Sequence, residues 1–180
     1  LLNLENGKVL DVQSQVNRQR SYGADVISRI NFTMENPRGL DVLNRSIIEQ
    51  INDIIGLLCG RNSIGKDDIY DTVIVGNTTM IHLLLKLTCK YMAMSPYIAM
   101  ITEGIEFKAR EIGIDTGGMV SLIPGISSYV GSDITAGIIS SGLLNSERYS
   151  LLLDLGTNGE MALGNKNEII TCSTAAGPAF

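Results

Sequence analysis

Ser150-Leu151-Leu152-Leu153-Asp154-Leu155-Gly156-Thr157-Asn158-Gly159-Glu160 is the stretch on which the reading of this chain turns. An apolar run delivers a carboxylate, Asp154, into a turn in which Gly156 and Gly159 flank Thr157 and Asn158. Glycine lets a backbone come close to a ligand, and consecutive N–H groups in such a turn can point at phosphate oxygens. The Thr157 hydroxyl adds a donor, and Asp154 is placed to hold Mg²⁺ through its water shell. The same string is a strong hairpin signal, because Asn-Gly between apolar strands favours a tight turn. Spacing alone leaves both readings open.

Outward from this turn, Glu160 to Leu163 and Glu168 to Ser173 read as two further strands, so that a β-meander follows the polar break Asn145-Ser146-Glu147-Arg148. Upstream of the break the pattern changes. Met119 to Ile126 is a short strand closed by Pro124-Gly125, and Gly131-Ser132-Asp133 opens a helix predicted over 134–144. Tyr70 to Val75 is a β-branched run ending at Gly76, and Asn77-Thr78-Thr79 offers caps before a helix over Met80 to Leu87. Leu40, Leu43, Ile47, Ile51, Ile54, Ile55 and Leu58 recur at helical spacing and predict a long amphipathic helix. Leu2, Leu4, Val9 and Val12 predict a hairpin around Asn6-Gly7. Strands alternating with helices, then a fresh meander, describe an α/β lobe over 1–145 and the opening of a second over 146–180.

In an α/β lobe, ligands gather at the carboxyl ends of strands and at helix N-termini, where free N–H groups favour anions. Gly76-Asn77-Thr78 and Gly131-Ser132-Asp133 therefore join the first turn as candidates, although each also reads as a helix N-cap. Gly60 to Asp67 imitates the phosphate-loop pattern GxxxxGK[ST]. Its last position is an acid, and it follows a helix where a phosphate loop follows a strand. It reads as a helix C-terminal loop with Gly60 left-handed.

A net charge of -5 over 180 residues and a pI near 4.8 exclude a duplex-binding surface, which needs clustered Lys and Arg. No apolar run approaches the roughly 20 residues of a membrane span, and no signal peptide opens the chain, so a cytoplasmic protein is expected. The three cysteines, Cys59, Cys89 and Cys172, have no local metal or cluster spacing and read as reduced, mostly buried thiols. His82, between Ile81 and three leucines, reads as a helix-packing residue. The chain begins without methionine and stops after Gly177-Pro178-Ala179, and both ends read as cut.

The strings Tyr22-Gly-Ala-Asp-Val-Ile-Ser-Arg-Ile30, Val75-Gly-Asn-Thr-Thr-Met80, Val130-Gly-Ser-Asp-Ile134, Leu153-Asp-Leu-Gly-Thr-Asn-Gly-Glu160 and Cys172-Ser-Thr-Ala-Ala-Gly-Pro-Ala-Phe180 resemble those of the reductive activators of corrinoid proteins. The resemblance implies an actin-like ATPase (ribonuclease H-like) fold, with one nearly complete lobe and the opening β-meander of the second. It implies an ATPase that couples ATP to the return of an inactive Co(II) corrinoid to Co(I), with electrons from a [2Fe-2S] domain elsewhere in the parent chain. Carried over by position, Gly156, Thr157, Asn158 and Gly159 contact the β- and γ-phosphates, and Asp154 orders Mg²⁺ or its water. Asp133 is an inner-cleft acid that positions water, and Gly76, Asn77 and Thr78 form a neighbouring wall.

The resemblance further places the first phosphate loop before Leu1, the adenosine segment beyond Phe180 and the iron–sulfur segment upstream, so that residues 1–180 alone are expected to be inactive. The implied partner is the corrinoid protein of a methyl-transfer system, and a homodimer is compatible with the family. Two other functions compete: a metabolite kinase on the same fold, and an interaction domain whose turns are hairpins and caps only.

Overall fold

The apolar stripe from Leu40 to Leu58 forms the longest helix of a computed structural model that describes residues 1–156 and 158–175. In chain order the helices are α1 (Val26–Glu35), α2 (Gly39–Asn62), α3 (Thr78–Leu84) and α4 (Ser132–Ser140). The strands are β1 (Asp71–Ile74), β2 (Ile105–Lys108), β3 (Met119–Leu122), β4 (Ser150–Leu155), β5 (Asn158–Gly164) and β6 (Ile169–Ala175). β1 pairs parallel with β3, and β2 pairs antiparallel on its other side. β4, β5 and β6 form a separate antiparallel meander.

The first sheet packs on α2 and α3 through Ile55, Cys59, Leu84, Ala109, Ile114, Val120 and Leu122, all buried. A second cluster, Ile30, Leu43, Leu83, Cys89 and Met92, joins α1 to α2 and α3. His82 belongs to this packing. It is fully buried, its Nδ1 lies 2.7 Å from the Thr78 carbonyl, and its Nε2 accepts from Met100 N–H at 3.0 Å. One nitrogen donates and the other accepts, so the ring is neutral, and burial lowers its pKa accordingly. A third cluster, Val130, Ile134, Ile138, Leu143 and Ala162, seats α4 on the meander beside Leu152 and Ile169.

Several expectations are corrected. The predicted N-terminal hairpin is reduced to one antiparallel bridge, Leu2 with Val9, around a turn with Gly7 at φ 69°. Leu4 and Val12 find no apolar cover, and an uncovered two-stranded ribbon gains too little burial to extend. The segment is tied instead to α2 by polar contacts: Arg61 to Asp11 at 2.8 Å, and Gln50 Nε2 to the Val16 carbonyl at 2.8 Å.

α2 does not end at Gly60. Cys59 is buried with the core and Ile64 packs on the same cluster, so helix persists to Asn62 and the left-handed residue is Ser63, at φ 54°. Lys66 and Asp67 of the phosphate-loop imitation pair with Asp115 at 2.6 Å and Arg110 at 2.7 Å, which makes the segment a structural loop. The thiols are mostly buried, as expected, and Cys172 is the exposed one because it lies on the uncovered face of the meander. Cys59 and Cys89 are buried, and burial pushes the Cys89 thiol up to about 12. α1 and β2 carry no prediction from sequence. Among the described residues no helix is long and apolar enough to cross a membrane.

Candidate functional site

Alternation along β4 turns Leu152 and Asp154 to one face of the meander and Leu151, Leu153 and Leu155 to the other. The register sets Ala162 opposite Leu152 and Glu160 opposite Asp154. Leu152 and Ala162 lie under α4, so the two carboxylates emerge on the same face, one step nearer the turn. Asp133 lies in the first turn of α4. Two acids of one hairpin and a third from a helix that precedes it thus meet at one edge of a packed helix–sheet interface.

The turn after β1 is clasped to the start of α4. Ser132 is buried, its hydroxyl bonds both the N–H and the carbonyl of Gly76 at 3.1 Å, and its own N–H donates to that carbonyl at 3.0 Å. A Cβ on Gly131 would stand 2.5 Å from Asn77 Cα and 2.6 Å from the Gly76 oxygen, so glycine is what allows this approach. Asn77 caps α3, its Oδ1 accepting from Met80 N–H at 2.9 Å. In the β4–β5 turn, Gly156 N–H donates to the Asn158 carbonyl at 2.9 Å.

These turns close a cavity of about 210 Å³ lined by Ala24, Asp25, Val26, Arg29, Asn77, Asp133, Asp154, Gly156, Asn158 and Glu160. It shares Asp25, Val26 and Asn158 with a wider groove of about 780 Å³. Asp133, Asp154, Asn77, Gly156 and Asn158, all candidates from sequence, are therefore brought together. Gly76, Thr78 and Gly159 stand behind the wall. Thr78 spends its hydroxyl on the Ser127 carbonyl at 2.7 Å, and Gly159 pairs within the sheet between Leu155 and Thr174. Thr157 lies outside the described residues.

Sequence reasoning assigned no role to Asp25, Arg29 or Glu160. Asp25 caps α1, accepting from Ser28 N–H at 2.7 Å and Ser28 Oγ at 2.9 Å, bonds that hold its carboxyl below the usual range. The Asp-x-x-Ser spacing was the available signal. Burial, and then the charge of Asp154, push the Asp133 carboxyl up. Burial, followed by the charges of Asp133 and Asp154, does the same to Glu160. Like charges set directly across a sheet destabilise it, and a bound cation relieves that repulsion.

Among the described residues no group of three or more His, Cys, Asp or Glu is placed to hold a metal by itself. Mg²⁺ in nucleotide sites needs only one or two carboxylates with phosphates and water, and this donor set fits that demand. It does not fit an iron–sulfur cluster, since two of the three cysteines are buried and apart from the third.

Strand ends and a helix start that converge on an acidic cleft, on an α/β scaffold, suit the actin-like fold, and the comparisons agree with that fold. Residues 1–146 match the family described as the RACo middle region, and residues 148–180 match the C-terminal domain of RACo, the ASKHA domain. The chain belongs to this family of reductive activators of corrinoid proteins. It is similar to a corrinoid activation enzyme, RamQ, of Eubacterium limosum, with 38% identity over 182 residues, spanning 100% of this chain and 30% of the relative. A [Co(II) methylated amine-specific corrinoid protein] reductase of Methanosarcina barkeri is 45% identical over 57 residues, 32% of this chain and 11% of its own length. A solved reductive activator for a corrinoid, iron-sulfur protein superposes with a TM-score of 0.95 at 41% identity, over 99% of this chain and 29% of that one. The chain thus spans under a third of these relatives.

Proposed function

We propose that this chain is part of an ATP-binding and ATP-hydrolysing domain whose parent protein couples ATP to reduction of a corrinoid protein from Co(II) to Co(I). The observation that carries the reading is the meeting of Asn77, Asp133, Asp154, Gly156 and Asn158 around one cavity. In it, backbone N–H groups of the β4–β5 turn hold phosphate oxygens, and Asp154 orders the water shell of Mg²⁺. Mg²⁺, when bound, neutralises charge on the phosphate oxygens. Asp133, at the start of α4, positions water toward the terminal phosphate, and Gly76, Thr78 and Gly159 shape the wall without touching ligand.

A [2Fe-2S] domain elsewhere in the parent supplies the electron, and no residue of this segment would hold it. The partner is a corrinoid protein of a methyl-transfer system, a reading supported as far as the corrinoid protein by the relatives, a corrinoid activation enzyme and a corrinoid protein reductase. The division into lobes at 1–145 and 146–180, a cytoplasmic location and a homodimer belong to the same reading.

The test uses the full-length protein. Asp154→Asn should keep the melting temperature and lower Mg²⁺-dependent ATP turnover about 10- to 100-fold through weaker ordering of the metal. Gly156→Ala introduces a Cβ whose nearest atom is the Asn158 oxygen at 3.8 Å, so the free protein accepts it. Any loss of nucleotide affinity in that variant then reports phosphate approach. Parent-like binding and turnover in both variants would make the turn a hairpin only.

A further inference from the structure

The geometry points to Arg29 as the side chain that contacts a phosphate group of the nucleotide; this rests on the ATP-binding reading above. Arg29 is the only basic residue among the described residues that line the cavity. Its guanidinium is half-buried, yet it belongs to none of the ion pairs found among the described residues. The neighbouring carboxylate, Asp25, is already engaged by Ser28 as the cap of α1.

A guanidinium has five N–H donors in a planar fork. Nε donates to the Gly23 carbonyl at 3.0 Å and Nη1 to Met80 Sδ at 3.1 Å, which fix the fork from two sides. The remaining N–H groups have no acceptor among the described residues. Burial lowers the Arg29 pKa, and the charge of nearby Asp25, which forms no ion pair with it among the described residues, offsets this only in part.

The rest of the cavity has the opposite sign. Asp133, Asp154 and Glu160 share its lining, and the charges that act on Asp133 and Glu160 are those of fellow acids. A cavity lined by one fixed cation and by several carboxylates suits a ligand that is itself bipolar. Mg²⁺ bound to phosphates is such a ligand, its metal facing the acids and its outer phosphate oxygens facing the fork. Arg is suited to that place because its fork matches two phosphate oxygens at once.

The experiment is a binding titration on the full-length protein with MgATP and, as the phosphate-free probe, adenosine, for the parent, Arg29→Gln and Arg29→Lys. Loss of a charge-assisted contact should weaken MgATP binding about 10- to 100-fold in Arg29→Gln. Arg29→Lys should recover part of that loss, because charge returns without the fork. Adenosine affinity and melting temperature should stay at parent values. MgATP binding by Arg29→Gln equal to the parent overturns the inference while leaving the ATP reading intact. So does a parallel fall in adenosine affinity and melting temperature, which would make Arg29 a brace for Gly23. A parent that binds adenosine but shows no preference for MgATP removes both.

Discussion

Asp133 carries the conflict between folding and function in a single carboxyl group. Its pKa is raised in the folded protein, by burial first and by Asp154 second, so the native state binds more protons than the unfolded chain in the window above about pH 3.9. Stability therefore falls as pH rises through that window and is highest when Asp133 is protonated. Asp133→Asn removes the penalty and keeps an oxygen for the Ile134 N–H bond, 3.0 Å in the parent. The variant should melt higher than the parent at pH 7, with the difference vanishing as pH falls below about 4. Turnover should drop in the same protein, since residues placed for chemistry are often suboptimal for stability. Melting curves from pH 3 to 8 check the first part, and an equal or lower melting temperature at pH 7 would contradict it.

Two glycines separate what helices need from what the site needs. Gly56 lies within α2 with nothing within 4 Å of an added Cβ. Gly56→Ala should stabilise the protein by about 0.5–1 kcal/mol, because glycine in a helix loses more backbone entropy on folding than alanine does. Gly131 is the reverse case. An alanine Cβ there would meet Asn77 Cα at 2.5 Å, the Gly76 oxygen at 2.6 Å and Asp133 Oδ1 at 2.8 Å. Backbone atoms cannot yield as a side-chain tip can, so Gly131→Ala should part the β1–α3 turn from α4, lower the melting temperature and weaken nucleotide binding together. Denaturant unfolding and a nucleotide titration on both variants distinguish the two, and normal binding by Gly131→Ala would show that the clasp does not shape the site.

Across the whole molecule, one face of the meander is covered by α4 and the other is open. Leu151, Leu163 and Ile170 stand in a cross-strand row at 57%, 48% and 69% exposure, and Leu153, Met161 and Cys172 form the next row. A contiguous apolar face of this kind marks an interaction surface. Because the chain spans 30% of its longer relative, the remaining length of a parent protein can supply the cover. Residues 1–180 expressed alone should self-associate and bind a hydrophobic dye, and Leu151→Lys with Leu163→Glu, opposite charges on facing positions, should suppress both. In the full-length protein the same pair should be destabilising. Light scattering and dye fluorescence test the short chain, melting tests the long one, and a stable, unperturbed full-length variant would mean that the face is exposed there too.

The amino-acid order by itself determined the local events. The helical stripe made α2, the apolar run and Asn-Gly made the β4–β5 hairpin, and Asn77 caps α3, because these depend on residues within a few positions. It also carried the family, since the strings from Tyr22 to Phe180 keep their order along the chain. The stretch forms a hairpin, and Asp154, Gly156, Asn158 and Glu160 of it also line the cavity. Tertiary structure alone decided the membership of the cavity. Arg29 and Glu160 enter it and Thr78 leaves it because the parallel pairing of β1 with β3 and the seating of α4 on β4 and β5 bring together residues up to a hundred positions or more apart. Burial, which raises the carboxyl groups of Asp133 and Glu160, is likewise a property of what surrounds a residue in space and has no signature in its neighbours along the chain.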